Sequence, residues 1–280
     1  MELYNRLKEG LNPRLKDLYD QWIRVQPLTP DRESRLWQRL RLEWNYNSNH
    51  IEGNTLSYDE TMLLLIHGRT RGEHLLREYE EMLGHDAAIE HVRSLAREQR
   101  ILSEGDIRDL NRISLKEGYW QIAETASGGQ TRRWIEPGRY KTAPNHVLTA
   151  SGEMFYFASP EETPARMQEF TSWMAGEIES PSMGLIPLLA EIHRQFILIH
   201  PFDDGNGRVV RLFINYVLLR AGLLPLIIKS SRRKKYLDAI VISDTRDNQP
   251  LEQFLEESLI WSMQLGVRAD KEMVELESDE

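Results

Sequence analysis

His200-Pro201-Phe202-Asp203-Asp204-Gly205-Asn206-Gly207-Arg208-Val209-Val210-Arg211 gathers, within twelve residues, the groups that handle phosphate. His200 offers a general base of suitable pKa. Asp204 offers a carboxylate suited to a Mg2+ ion that already carries phosphate ligands. Gly205 and Gly207 permit left-handed backbone and close approach of a ligand, and Asn206 tolerates the same conformation. Successive backbone N–H groups here would form an anion-binding nest at the start of the next helix, where the dipole also favours negative charge. Arg208 and Arg211, three apart on the first turn, can direct two guanidinium forks the same way. Base, metal carboxylate, nest and paired arginines are the parts of phosphate-group transfer.

Each feature alone has a plainer meaning. A histidine before proline is most often a helix-end residue, and Gly-Asn-Gly by itself is a turn. Asp203-Asp204-Gly205 is similar to part of a calcium loop, yet the alternating ligand positions and the closing glutamate of that loop are absent. No Gly-Lys-Ser/Thr follows, and the third glycine of a dinucleotide fingerprint is missing. Phe202 reads as packing that pins the loop.

The elements on either side must position these groups. Leu185, Leu188, Ile192, Phe196 and Ile199 follow one helical face, and Pro201 disfavours helix at His200, so that helix should end there. Val209 to Leu219 is apolar nearly all round, which marks a buried central helix. Upstream, Thr29-Pro30-Asp31 reads as N-cap, N1 proline and acidic first turn. Trp37, Leu40, Trp44 and Ile51 then carry a helical stripe from about 30 to 52, with Gly53 as its stop. Ser57 to Glu60 is a capping box opening a helix through Met62, Leu65 and Ile66 to Gly68. Further helices are expected at about 74–98, 104–117, 161–178, 231–243 and 250–267. From about 127 to 160 the chain is rich in Gly, Pro, Thr and aromatic residues, where short extended pieces and a hairpin around Tyr140 to Tyr156 fit best. The acidic stretch Glu275 to Glu280 is expected to be disordered.

Composition narrows the function classes. The 280 residues hold 35 Lys and Arg against 44 Asp and Glu, a net charge of −9. Such a chain is a poor partner for nucleic acid or an anionic membrane. The run Lys229, Arg232, Arg233, Lys234 and Lys235 therefore reads as a solvated helix face. There is no cysteine, which excludes thiolate nucleophiles, disulfides and Cys-ligated metals. Neither a secretory h-region nor an apolar run long enough for a membrane span is visible, so a cytoplasmic location is expected.

A second segment, Ser48-Asn49-His50-Ile51-Glu52-Gly53-Asn54, places Ser48 and Glu52 on one face of the last helical turn. A carboxylate there opposes the helix dipole, a hint that Glu52 has a partner elsewhere.

Taken together, residues 200–211 resemble the Fic family motif His-Pro-Phe-x-Asp/Glu-Gly-Asn-Gly-Arg-x-x-Arg without a departure, and the resemblance runs from roughly 40 to 260. It implies a mainly α Fic-type helical bundle with a short β-hairpin flap. The expected division is an N-terminal helical region at 1–100, a catalytic domain at 101–268 and an acidic tail at 269–280. It further implies transfer of AMP from ATP, with Mg2+, to a Ser, Thr or Tyr hydroxyl of a protein. His200 would deprotonate that hydroxyl, and Asp204 would hold Mg2+. Gly205, Asn206 and Gly207 would cradle the α- and β-phosphates. Arg208 would neutralise the leaving pyrophosphate, and Arg211 would bind the γ-phosphate. Gly138-Arg139-Tyr140 resembles the start of the flap, with Asn145, His146 and Val147 as the target-docking stretch. Lys235-Tyr236 and Asp244 sit where similar proteins line the adenine pocket, although Tyr236 reads equally as a helix residue half-buried by its neighbours.

Ser48 and Glu52 resemble the Fic inhibitory motif Ser/Thr-x-x-x-Glu-Gly/Asn, here N-terminal to the catalytic segment. The implied mechanism is competition, with Glu52 pairing Arg211 where the γ-phosphate belongs. Alternatives within the fold are removal of AMP from a modified target, with Glu52 positioning water, and transfer of a different phosphate-bearing group. Outside enzymology, a nucleotide-binding interaction module stays open, as does a homodimer.

Overall fold

Helical periodicity yields eleven α-helices among the described residues of the computed structural model, namely 2–124, 129–148, 154–243 and 247–278. Five helices come first: α1 (Glu2–Leu7), α2 (Pro13–Arg24), α3 (Pro30–Ile51), α4 (Tyr58–His67) and α5 (Leu76–Arg97). The local signals act as their chemistry dictates. Thr29 caps α3 with Pro30 in the first turn; the helix ends at Ile51 with Glu52 as C-cap, and Gly53 turns at φ +100°. The Ser57/Glu60 capping box opens α4, and left-handed Gly68 closes it. Helices α1 and α2 precede every helix that periodicity had located. Asn12 caps α2, accepting a hydrogen bond from the Arg14 N–H.

After α6 (Glu104–Leu115), itself opened by a Ser103/Asp106 capping box, the chain leaves helix. Strand β1 (Tyr119–Glu124) pairs antiparallel with β2 (Gln130–Ile135), Tyr119 opposite Ile135. Strand β3 (Val147–Leu148) pairs antiparallel with β4 (Met154–Phe155), Val147 opposite Phe155. The hairpin expected around Tyr140 to Tyr156 is β3–β4, whereas β1–β2 is an additional ribbon ahead of it. The fold is mainly helical with small antiparallel sheets.

Helices α7 (Thr163–Glu179), α8 (Leu185–Ile199) and α9 (Asn206–Arg220) follow. A 3-10 turn (Ser230–Arg232), α10 (Arg233–Ser243) and α11 (Gln249–Ser278) complete the order. All residues of α9 from Val209 to Leu218 are buried, as its all-round apolarity requires. The acidic end, expected to be disordered, instead continues α11 as far as Ser278, because Glu, Leu, Met and Lys are good helix formers.

One buried cluster runs from Leu3 and Leu7 through Leu36, Leu40 and Trp44 to Phe213, Phe254 and Val267. The helices ahead of residue 100 and those after it thus share a core. A small satellite of Leu56, Leu64 and Met82 lies under α4. Among the described residues no helix is long and apolar enough to cross a membrane.

Candidate active site

Helix α8 stops at His200, whose backbone is left-handed at φ +48° while its N–H still donates to the Phe196 carbonyl at 2.9 Å. A non-glycine residue held there is strained and needs outside support. Support comes from both sides of the loop. Asn145 Nδ2 donates to the carbonyls of His200 at 3.2 Å and Phe202 at 2.9 Å. Buried Lys141 donates its ammonium to the Ile199 carbonyl and to Asn145 Oδ1, each at 2.9 Å, and its backbone N–H to the Pro201 carbonyl at 2.8 Å. From within, Asn206 Oδ1 accepts the Phe202 N–H at 3.0 Å and its Nδ2 donates to the Phe202 carbonyl at 2.8 Å. Phe202 is buried, as expected of a pin.

Two assignments change as a result. The Asn206 side chain, expected to cradle phosphate, is spent on tying its own loop, so only its backbone faces the nest. Asn145, expected to dock a target, turns inward as a brace of the loop. Next to it, His146 Nδ1 accepts the Phe157 N–H at 3.1 Å, and Val147 in β3 is exposed.

The half-buried His200 ring stacks on Phe157, centroids 3.9 Å apart and planes 15° from parallel. Burial, helped by the Lys141 ammonium, pushes its pKa down to about 3, so the imidazole is neutral. Lys141 is itself pushed down to about 8, by burial first and then by Arg133.

Helix α9 begins beyond left-handed Gly205 (φ +82°), its first turn aimed at the space beside Glu52. A Cβ on Gly207 would overlap the Glu52 carboxylate, so this glycine leaves room for an anion at the helix start. Glu52 Oε1 accepts from Arg211 Nη2 at 2.6 Å, and Arg211 also donates to Ser48 Oγ at 2.9 Å and to the Ser48 carbonyl at 3.0 Å. The face shared by Ser48 and Glu52 is therefore the face that meets Arg211. Arg208 is 2% exposed and lies 3.3 Å from Glu81 Oε1 and 3.7 Å from Asp204 Oδ2. Burial pulls its pKa down, but Asp204, Glu81 and Glu52 outweigh that and raise it.

Asp204 accepts the Tyr119 hydroxyl on Oδ2 and the Gly205 N–H on Oδ1 at 2.5 Å. Its carbonyl accepts from Asn111 Nδ2 at 2.8 Å, while Asn111 Oδ1 takes the Gly138 N–H at 2.8 Å. Among the described residues no three His, Cys, Asp or Glu side chains form a metal-holding group. One partly exposed carboxylate beside an anion nest fits a hard divalent ion that brings phosphate oxygens as its other ligands. Tyr236, expected in the adenine pocket, is 1% exposed. Its hydroxyl is 2.5 Å from His193 Nε2 and its ring stacks on Phe254, and it also interacts with Arg211, so it packs against that guanidinium from the core side. Asp244 lies outside the described residues.

A sequence model of the Fic/DOC family matches residues 101–218. The crystal structure of a Fic domain containing signaling protein from Bacteroides thetaiotaomicron superposes with a TM-score of 0.84 at 39% identity, covering 92% of this chain and 97% of that one. This chain belongs to the Fic/DOC family. Protein adenylyltransferase fic-1 of Caenorhabditis elegans is 27% identical over 257 residues, 91% of this chain and 46% of that protein. Protein adenylyltransferase Fic of Drosophila ananassae is 30% identical over 210 residues, 75% of this chain and 38% of that protein. This Fic chain spans less than half the length of these curated relatives.

Around the Fic motif, sequence reasoning missed Phe157, Lys141, Tyr119 and Asn111. None carries a local motif. Only the alternation in Tyr119-Trp120-Gln121-Ile122 marks a strand.

Proposed function

We propose that this chain is a protein adenylyltransferase, moving AMP from ATP to a Ser, Thr or Tyr hydroxyl of a protein, and that Glu52 holds it in check. One observation carries the reading: a carboxylate rests over Gly207 at the start of α9, bonded to Arg211, where a helix N-terminus and a buried guanidinium select for anions. The names of the curated relatives, protein adenylyltransferases, agree with it.

In the mechanism His200, neutral and fixed by Phe157, accepts the proton of the target hydroxyl. The hydroxyl oxygen bonds to the α-phosphorus as the bond to the bridging oxygen breaks, and pyrophosphate leaves. The N–H groups at the start of α9 hold phosphate oxygens, and Arg208 and Arg211 offset the charge on the leaving group. Asp204 would hold Mg2+, which when bound offsets phosphate charge; Tyr119 and the Gly205 N–H orient that carboxylate. Glu52 opposes all this by occupying Arg211 and the nest. With Glu52 in place, the phosphates are kept from the arrangement that the reaction needs.

Intact-mass measurement after incubation with Mg2+ and ATP tests the proposal. Glu52→Gly should gain one AMP unit at least about tenfold faster than wild type, the effect of losing one charge-assisted contact. Glu52→Gly combined with His200→Ala should gain it about 10²–10⁴-fold more slowly than Glu52→Gly. Equal rates in wild type and Glu52→Gly would remove the restraint, and no addition by either would remove the transferase. The second carboxylate oxygen of Glu52 has no partner among the described residues and the side chain is 33% exposed. That favours, as a second reading, a water-positioning role in removing AMP, which incubation of an AMP-modified protein with wild type would detect.

A further inference from the structure

The basic run at 229–235, read from sequence as a solvated face, spreads its contacts over α3, α11 and its own helix, where Lys234 pairs with Asp238 at 2.9 Å. Arg232 Nη2 and Lys235 Nζ reach Glu257 of α11 at 2.5 and 3.1 Å. Lys229, Ser230 and Arg233 reach α3. Lys229 Nζ lies 3.7 Å from Glu43 Oε2 and 4.2 Å from the centre of the Trp261 ring. The Ser230 N–H donates to Asn47 Oδ1 at 2.9 Å, and Arg233 Nε donates to the Ile51 carbonyl at 2.6 Å. Glu43, Asn47 and Ile51 are four apart, so the three contacts follow one stripe of α3. Ser48 and Glu52 lie on the next stripe, about 100° around the helix.

We propose that residues 229–233 are a clasp that fixes the last turns of α3 and so sets the reach of Glu52 to Arg211, with Arg233 as its positioning residue. The proposal rests on the restrained-transferase reading and names what holds the restraint. The Ile51 carbonyl belongs to the last turn, where carbonyls lack an intrahelical partner, and it sits at the negative end of the dipole, where a guanidinium is favoured. Glu52 is the very next residue. Losing the Arg233 contact frees that turn to fray and lets the carboxylate withdraw from Arg211. Arg233 touches none of the groups assigned to phosphate, base or metal. Its effect is therefore conditional on Glu52.

Five proteins decide the matter: wild type, Arg233→Ala, Arg233→Lys, Glu52→Gly and the Arg233→Ala/Glu52→Gly double variant, each assayed for AMP addition by intact mass. Arg233→Ala should raise the wild-type rate roughly threefold to tenfold, the effect of one partly exposed charge-assisted hydrogen bond. In the Glu52→Gly background it should change nothing, and Arg233→Lys, which keeps a donor cation at the helix end, should restore restraint. No rise in wild type, or an equal change in both backgrounds, overturns the clasp. Amide exchange at residues 48–52 reads it independently of turnover, and should be faster in Arg233→Ala than in wild type. If Glu52→Gly itself adds no AMP, the transferase reading fails while the exchange data still decide the clasp; unchanged exchange overturns it.

Discussion

His200 combines two properties that rarely coincide: a left-handed backbone and a face-on aromatic neighbour. Because burial is the first cause of its depressed pKa, hydration should raise it. Phe157→Leu uncovers one ring face, so the His200 pKa should climb from about 3 toward the ordinary value, as an NMR titration of the imidazole would record. Removing the imidazole from Glu52→Gly should lower the rate by about 10²–10⁴-fold, the usual contribution of a positioned base. Gly207→Ala puts a methyl where the Glu52 carboxylate now rests. In the Glu52→Gly background it should therefore weaken ATP binding about tenfold, read by calorimetry, since overpacking typically costs about 1–3 kcal/mol.

At the scale of elements, capping chemistry carries stability. Ser103 and Asp106 cap α6 reciprocally, and Asp106 also takes two hydrogen bonds from Arg100. Ser103→Ala should lower unfolding free energy by about 1 kcal/mol in a urea titration, with the slope unchanged. The elements most legible in the sequence were those with strong apolar periodicity or explicit caps: α3, α4, α8 and the buried α9. Helix α1 is too short to show a period, whereas α2 carries both a cap at Asn12-Pro13 and an apolar stripe of Leu15, Leu18, Tyr19 and Trp22 that were overlooked. Strand β1 was hard to read because its apolar residues Trp120 and Ile122 face solvent, the reverse of the usual pattern. The site was legible where it is contiguous, at 200–211 and 48–52. Its braces were not, because Lys141, Asn145, Tyr119 and Phe157 are ordinary residues that only the tertiary fold brings to the loop. The Asn206 side chain shows a related limit: residue type shows the capacity to bond, and packing decides with what.

The whole molecule should be acid-sensitive. His193 and His200 have pKa values pushed down to about 3, burial being the first cause for both. Unfolded histidines titrate near ~6.5, so between these values the unfolded chain binds more protons. Stability present above the unfolded value is thus lost as pH falls through that window. Asp106 is also held down to about 2: burial works against this, but bonds from Arg100 and Ser103 prevail. It adds to the same trend below its unfolded value. The melting temperature should therefore fall as pH drops from 7 to 4 in a calorimetric series. His85 is fully buried, neither ring nitrogen has a partner, and burial together with Arg211 and Arg208 holds its pKa far down. His85→Leu should leave stability at pH 7 within about 1 kcal/mol and flatten the acid slope.

Leu36, Leu40, Trp44 and Ile51 of α3 lie in the same buried cluster as Phe213 of α9 and Phe254 of α11. Glu52 is thus carried on a pillar of the building. Nothing here can be unhooked like a lid or clipped away by a protease without exposing greasy flanks on the helices left behind. In the restraint we propose, release means loosening a single turn, a local opening far cheaper than global unfolding. A restraint of that kind would be a matter of degree, graded by how often that one tip lifts.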